Sequence, residues 1–126
     1  MFDVQKIYRA TSVEDAIRAL HRMEGSILIS GGSDVLIKIR EGKLAGCTLV
    51  SINDLQELTG IVMEEDGTIK IGPGETFTRI TEHPLIRQHI PMLGHAVDQA
   101  GGPQLRNVAT IGGNVCNGVT SADSAS

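Results

Sequence analysis

The stretch SILISGGSD, residues 26–34, joins a short apolar run to a glycine doublet. Residues 27–29, Ile-Leu-Ile, are rich in β-formers and predict a buried strand. The doublet Gly31-Gly32 follows, and Asp34 is a residue type favoured at the N-cap of a helix, here predicted over 35–40. A strand, a glycine turn and a helix in this order are typical of a parallel α/β sheet, in which ligands bind at the carboxyl ends of the strands.

The residues on either side complete a small parallel lobe. Residues 4–9 and 47–52 are predicted as two further strands, and the sequence Thr11-Ser12-Val13-Glu14 is a capping box that begins a helix. Apolar side chains at helical spacing continue that helix until Gly25, a residue type common at helix ends. The order strand, helix, strand, helix, strand therefore predicts a parallel sheet in the first part of the chain.

The pattern changes to an antiparallel one further along. Residues 61–64 and 68–71 are predicted strands on either side of Asp66-Gly67, a dipeptide that favours a tight hairpin turn. We therefore expect an α+β chain with a parallel α/β lobe over residues 1–55 and the start of an antiparallel α+β lobe over residues 56–126.

The second lobe should also contain short helices. Helices are predicted over 83–89 and 91–100, and either Thr76 or Thr78 is expected to cap an earlier one. Residues 104–117 are rich in glycine and asparagine and are predicted to be mostly loop.

Composition excludes several classes of function. The chain has 126 residues, with 11 Lys and Arg against 15 Asp and Glu, and only 2% aromatic residues. An acidic chain with so few aromatic side chains is a poor nucleic-acid binder. No apolar run approaches the ~20 residues that a membrane span requires, and residues 1–10 lack the apolar core of a signal peptide, so we expect a cytoplasmic protein.

Metal and thiol chemistry are not indicated by the sequence. The four histidines have no pair at a metal-site spacing, so no metal site is expected. The two cysteines, Cys47 and Cys116, are too few for a disulfide framework and are expected to be reduced. Cys116 follows a glycine doublet and could line a site, although a buried structural thiol is its more common role.

A second glycine-rich motif, RNVATIGGN, occupies residues 106–114. The Thr110 hydroxyl can donate to a phosphate, and Gly112 and Gly113 can bring two successive amides close to an anion. Asn114 carries both a donor and an acceptor for a polar ring edge or a sugar hydroxyl. The alternative is an ordinary glycine-rich surface loop.

Neither motif is a common nucleotide-binding loop. The chain lacks the Gly-Lys-Ser/Thr of a P-loop, and the doublet Gly31-Gly32 lacks the third glycine of a Rossmann fingerprint. Two amide-rich turns on different lobes would suit a ligand with two adjacent phosphates, because several neutral donors can satisfy a diphosphate. The residues alone thus indicate a dinucleotide-like ligand held between the lobes.

Together, SGGSD at 30–34 and QLRNVATIGGN at 104–114 closely resemble the FAD-binding subunit of molybdenum hydroxylases, and most of all that of bacterial xanthine dehydrogenases. The resemblance covers nearly the whole chain but only the amino-terminal part of the family's domain. It implies a two-lobed FAD-binding fold of the vanillyl-alcohol oxidase type, here truncated. The closing SADSAS offers no further strand, so we expect a fragment of a longer polypeptide.

The resemblance also implies a set of cofactor-binding residues and no catalytic residue on this chain. Two segments would clasp the FAD diphosphate, and one aspartate would lie near the flavin. These residues are Ile27, Leu28, Ile29, Ser30, Gly31, Gly32, Ser33, Asp34, Ala109, Thr110, Ile111, Gly112, Gly113, Asn114 and Asp123.

The family's activity follows as an expectation. FAD would receive electrons from an iron–sulfur subunit and pass hydride to NAD, while a molybdopterin-binding subunit hydroxylates the purine. A sister hydroxylase acting on carbon monoxide or an aromatic substrate, or a flavin-free docking module, are the alternatives. The chain departs from the family at Ser33, where threonine is frequent, and over 118–123, which lacks the family's Ser-Pro before Asp123.

Overall fold

The computed structural model describes residues 2–125. The chain divides into two compact units, the first ending at Glu57 and the second beginning at Leu58. Each unit has its own sheet and its own cluster of buried apolar side chains. A single turn of 3₁₀ helix, Gln56–Leu58, lies at the division.

The first unit is a parallel three-stranded sheet with two helices, as the sequence predicts. Its elements are β1 (Val4–Arg9), α1 (Val13–Arg22), β2 (Ile27–Ile29), α2 (Val35–Arg40) and β3 (Cys47–Ser51). The strand order is β1-β3-β2, and both pairings are parallel. The predicted order of elements and the parallel sheet are therefore confirmed.

Burial in this sheet differs from the prediction. Leu49 and Val50 on the central strand β3 are almost fully buried, and Val50 packs with Ala16 and Ala19 of α1. The strand β2 was predicted to be buried as well, but Leu28 is 44% exposed. The prediction fails because β2 is an edge strand of this sheet, with a hydrogen-bonded neighbour on one side only.

The capping of α1 is shifted by one residue from the predicted box. Ser12 is the N-cap, and its hydroxyl accepts from the Asp15 amide at 3.0 Å. The Asp15 carboxylate in turn accepts from the Thr11 amide at 2.9 Å and from the Tyr8 hydroxyl at 2.9 Å. These bonds, with the Thr11 amide contributing most, lower the pKa of Asp15. Glu14 instead pairs with Arg18 on the exposed side of the helix.

The second unit begins with the predicted hairpin. The strands β4 (Ile61–Met63) and β5 (Ile69–Ile71) pair antiparallel, with Ile61 opposite Ile71. In the connecting turn, the Asp66 carboxylate accepts from the Thr68 amide at 2.9 Å, which lowers the pKa of Asp66. The antiparallel element that distinguishes this unit from the first is confirmed.

In the described part of this unit, up to residue 125, five short helices follow, and three of them begin with proline. They are α3 (Phe77–Glu82), α4 (Pro84–His89), α5 (Pro91–Asp98), α6 (Pro103–Arg106) and α7 (Ile111–Cys116). Proline suits the first helical position because the amide it lacks would be unpaired there. Of the two candidate caps, Thr76 is the N-cap of α3. No helix in residues 2–125 is long and apolar enough to cross a membrane.

The segment 104–117 is the main correction to the predicted second unit. It was expected to be mostly loop, but it contains most of α6 and all of α7. Pro103 opens the first of these helices, and the Thr110 side chain caps the second by accepting from the Gly113 amide at 3.1 Å. These start signals outweigh the low helix propensity of the two glycines in α7.

The core of this unit gathers side chains from the hairpin and the helices. Phe77, Ile80, Ile86 and Val97 are each at most 1% exposed. Ile61, Ala100 and Ala109 belong to the same cluster, so a residue within the second glycine motif is part of the core. The position of that motif is therefore fixed by packing.

Candidate functional site

The first glycine motif is a tight turn between β2 and α2. Gly32 has a φ of +79°, in the left-handed region that side chains rarely adopt. A Cβ at this position would lie 3.1 Å from Leu36 Cδ1 and 3.2 Å from Ile29 Cδ1. Backbone conformation and packing together therefore favour glycine at this position.

The amides of this turn are unpaired. The N–H groups of Gly31, Gly32, Ser33 and Asp34 donate to no oxygen within residues 2–125. The Ser33 hydroxyl has no partner there either, and the Asp34 carboxylate, although at the N-cap position of α2, accepts no capping bond. A run of successive free amides is an anion-binding arrangement, and it fits the phosphates of a nucleotide cofactor.

The second glycine motif is built differently, because its amides are already paired. Within this unit, Gly112 N donates to the Pro73 carbonyl at 2.9 Å and Gly113 N to the Thr110 hydroxyl oxygen at 3.1 Å. The amides of Ile111 and Asn114 likewise have carbonyl acceptors. Within residues 2–125, Gly112 and Gly113 therefore present no free amide to an anion, because these amides hold the start of α7 in place.

Gly112 is required by close packing. A Cβ there would lie 2.6 Å from Pro73 Cβ and 2.7 Å from the Pro73 carbonyl oxygen. The beginning of the motif is structural as well. Arg106 donates to the Gly101 carbonyl at 2.6 Å after the end of α5, and Asn107 accepts from the Thr78 hydroxyl at 2.7 Å. Much of this recognisable string therefore maintains the fold of the second unit.

Thr110 and Asn114 both have polar groups left for a ligand. Among residues 109–114, only the Thr110 amide has no acceptor within residues 2–125. Thr110 is 5% exposed and forms an isolated antiparallel bridge with Thr76. Its hydroxyl oxygen accepts from Gly113, which leaves the hydroxyl proton free to donate.

The structure brings Asn114 together with the segment that contains Asp123. The Asn114 side-chain oxygen accepts from the Ser124 amide at 3.0 Å and from the Ser124 hydroxyl at 2.6 Å. Asp123 is the preceding residue and is exposed. Asn114 and Asp123 are site candidates by sequence, but Ser124 is not, because no local pattern marks a hydrogen bond across ten residues.

A buried carboxylate, Glu75, was not anticipated from the sequence. It is 1% exposed, and its Oε1 accepts from the Gly60 amide at 2.7 Å. Its Oε2 lies 3.1 Å from Arg79 Nε in an ion pair but accepts no hydrogen bond within residues 2–125. Glu75 also borders an open cavity of about 280 Å³, which includes none of the predicted site residues. The cavity is lined by Gly60, Ile61, Glu75, Arg79, Glu82, His83 and Pro84.

We expect Glu75→Ala to lower the free energy of unfolding by about 2 kcal/mol, because the Gly60 amide loses a charged acceptor. Glu75→Gln retains Oε1 and should cost less. Urea unfolding of the two variants measures the difference. An equal loss in both would show that the bond to Gly60 contributes nothing.

The cysteines and histidines form no additional centre in the part of the chain that the structure describes. Cys47 is half-buried and Cys116 is exposed, and both are free thiols. The more common role considered for Cys116, a buried structural thiol, is therefore wrong. No group of three His, Cys, Asp or Glu side chains in residues 2–125 is placed to hold a metal ion.

Comparison with known proteins identifies the family. The family described as the FAD binding domain in molybdopterin dehydrogenase matches residues 2–126. The chain is 45% identical over 125 residues to the xanthine dehydrogenase FAD-binding subunit of Escherichia coli O157:H7, covering 99% of the chain and 43% of that protein. It is 37% identical over 123 residues to the nicotinate dehydrogenase FAD-subunit of Eubacterium barkeri, covering 96% of the chain and 41% of that protein.

The fold of a solved structure agrees with this result. A carbon monoxide dehydrogenase from Hydrogenophaga pseudoflava, which lacks the Mo-pyranopterin moiety of its cofactor, matches with a TM-score of 0.89 and 27% identity. The match covers 94% of this chain and 41% of that one, so the present chain spans about two-fifths of the length of the relatives it matches. The free amides of the first glycine turn and the match over residues 2–126 lead to one conclusion: this chain belongs to the family of FAD-binding domains of molybdopterin dehydrogenases.

Proposed function

We propose that the protein is the FAD-binding component of a xanthine dehydrogenase-type molybdenum hydroxylase. In this proposal it passes electrons from iron–sulfur clusters through FAD to NAD during purine hydroxylation. Identity of 45% to a xanthine dehydrogenase subunit, against 37% to a nicotinate dehydrogenase subunit, supports the purine assignment. The single observation that carries the cofactor role is the row of unpaired amides from Gly31 to Asp34.

The first turn would supply the main contacts with the diphosphate. Amides that donate to a phosphate oxygen make charge-assisted hydrogen bonds, which are stronger than neutral ones. The Ser33 hydroxyl adds a further donor. Because the serine side chain is small, a ligand can lie close to the backbone of Gly31 and Gly32. Residues 27–30 at the end of β2 would provide the adjoining backbone and apolar contacts.

The second motif would contribute fewer and more specific contacts. Thr110 would donate through its amide and hydroxyl, and Asn114 through its side-chain nitrogen. Ala109 and residues 111–113 would shape the surface on which the cofactor lies. The exposed Asp123 carboxylate would accept from a hydroxyl of the cofactor near the flavin.

In this proposal the chain binds the cofactor and needs no catalytic acid or base of its own, because the cofactor performs the redox chemistry. FAD, when bound, supplies a ring system that accepts two electrons and releases them as hydride to NAD. The residues described here bind the cofactor and orient it. The expected partners are a molybdopterin-binding subunit and an iron–sulfur subunit in the cytoplasm, with no nucleic acid or membrane involved.

The decisive experiment purifies the full-length protein with its partner subunits and records the flavin absorbance. The complex should release FAD when it is denatured, and it should reduce NAD when supplied with xanthine or hypoxanthine. A flavin-containing complex that responds to nicotinate or carbon monoxide instead would overturn the purine assignment in favour of a sister hydroxylase. A complex that releases no FAD would overturn the electron-transfer role and leave a docking module.

A further inference from the structure

Asn114 has an amide group whose orientation can be read from its partners. Its side-chain oxygen receives the Ser124 amide at 3.0 Å and the Ser124 hydroxyl at 2.6 Å. A backbone N–H can only donate, so the Asn114 atom facing it must be the oxygen and not the nitrogen. Ser124 thus removes the usual ambiguity between the two ends of an asparagine amide.

The same contacts determine what remains available on Asn114. Both hydrogen bonds use the oxygen, and no group within residues 2–125 accepts from the side-chain nitrogen. Asn114 is half-buried within α7, so its side chain has limited freedom to turn over. The side chain therefore presents two N–H donors and no free acceptor face to a ligand.

We propose that Ser124 is a positioning residue for the cofactor, acting through Asn114. It holds the Asn114 oxygen so that the amide nitrogen donates to an electron-rich oxygen of FAD, a phosphate or a sugar hydroxyl. This inference rests on the proposed FAD contact of Asn114 and adds a residue that does not itself touch the cofactor. Without the Ser124 hydroxyl, the Asn114 oxygen keeps only its bond to the Ser124 amide, so the side chain is held less firmly and its nitrogen is less well directed at the cofactor.

The local structure around Ser124 supports this role. The segment 119–125 is held by two turn hydrogen bonds, from the Ala122 amide to the Val119 carbonyl at 3.0 Å and from the Ala125 amide to the Ala122 carbonyl at 3.4 Å. Ala122 is 8% exposed, so its side chain is also packed against the protein. Loss of the Ser124 hydroxyl should therefore leave the turn and the backbone bond from Ser124 to Asn114 in place, and remove only the shorter of the two hydrogen bonds that hold the Asn114 oxygen.

The test is a double-mutant cycle on FAD affinity, measured on the full-length protein by flavin fluorescence titration. Ser124→Ala should weaken FAD binding about fivefold, the effect of losing one well-oriented hydrogen bond. Asn114→Ala should weaken it by at least as much. The double variant should bind no worse than Asn114→Ala alone, because Ser124 acts only through that side chain. Ser124→Thr, which keeps the hydroxyl, should stay within about twofold of the parent protein.

Two outcomes would overturn the role of Ser124. One is an equal effect of Ser124→Ala with and without Asn114, which indicates an independent structural contribution. The other is a Ser124→Thr variant as weak as Ser124→Ala. Gly32→Val is included as a reference. If Gly32→Val loses FAD while the effects of the Ser124 and Asn114 variants on FAD affinity simply add, only the positioning role of Ser124 fails. If Gly32→Val binds FAD as well as the parent protein, the proposed cofactor site is overturned as well.

Discussion

Replacing Gly32 by valine should reduce FAD affinity by at least about 100-fold. The left-handed φ of +79° disfavours a β-branched residue, and the new side chain would press on Leu36 and Ile29. The turn must then open, which displaces the amides of residues 31–34 from the arrangement in which they are free to bind an anion. Losing two charge-assisted hydrogen bonds would cost about 1.5–3 kcal/mol each. Their sum already exceeds the binding free energy that corresponds to an about 100-fold change in affinity.

Gly25→Val is the matched control for this variant. Gly25 has a similar φ of +75° in the same unit, but nothing lies within 4 Å of the position where its Cβ would be. Both variants should therefore lose about 1–2 kcal/mol of stability through backbone strain, and only Gly32→Val should lose FAD. Equilibrium dialysis with FAD and urea unfolding separate the two effects. Retention of FAD by Gly32→Val, or equal loss in Gly25→Val, would contradict the assignment of the amides.

Gly112→Ala should destabilise the second unit by about 2–4 kcal/mol. Even a methyl group would lie 2.6 Å from Pro73 Cβ and 2.7 Å from the Pro73 carbonyl oxygen, and that oxygen is part of the backbone. Moving the start of α7 away would also break the hydrogen bond from the Gly112 amide to Pro73. The effect should be visible without FAD, as a lower midpoint of thermal or urea unfolding.

Gly94→Ala provides the corresponding control in the same unit. Gly94 lies within the helix α5, and its Cβ would make an ordinary contact of 3.5 Å with Ile86 Cγ2. Alanine is the better helix former, so the free energy of unfolding should stay unchanged or rise by up to about 1 kcal/mol. A Gly112→Ala protein as stable as the parent would show that Pro73 can move, and that this glycine is not required for packing.

The two glycine doublets therefore differ in physical role, although they look alike in the sequence. Gly31 and Gly32 leave their amides unpaired, whereas Gly112 and Gly113 use theirs to hold the start of a helix. A glycine doublet in the sequence indicates that another group can approach the backbone closely. It does not indicate whether that group is a ligand or another part of the protein. For the second doublet the neighbouring group is Pro73, which lies 39 residues before Gly112 in the chain.

Most of the fold was predictable from local patterns. The strand–turn–helix around residues 26–34, the parallel order of the first unit and the Asp66-Gly67 hairpin depend on hydrophobic period and turn chemistry, which act over a few residues. The missed helices α6 and α7 show the limit of this approach. Glycine and asparagine argued for loop, but packing of Ala109 in the core and the Thr110 cap decided otherwise.

The linear sequence alone determined the order of strands and helices as far as α5, the α+β class and the family, because these depend on patterns and motifs that are local in the chain. Tertiary structure decided which polar groups are left for a ligand. Leu28 is exposed because of the place of its strand in the sheet. The burial of Glu75 and the hydrogen bond from Ser124 to Asn114 depend on residues that are distant in the chain. Hydrogen-bonding capacity belongs to each residue, but whether it is already used is settled only when the chain has folded.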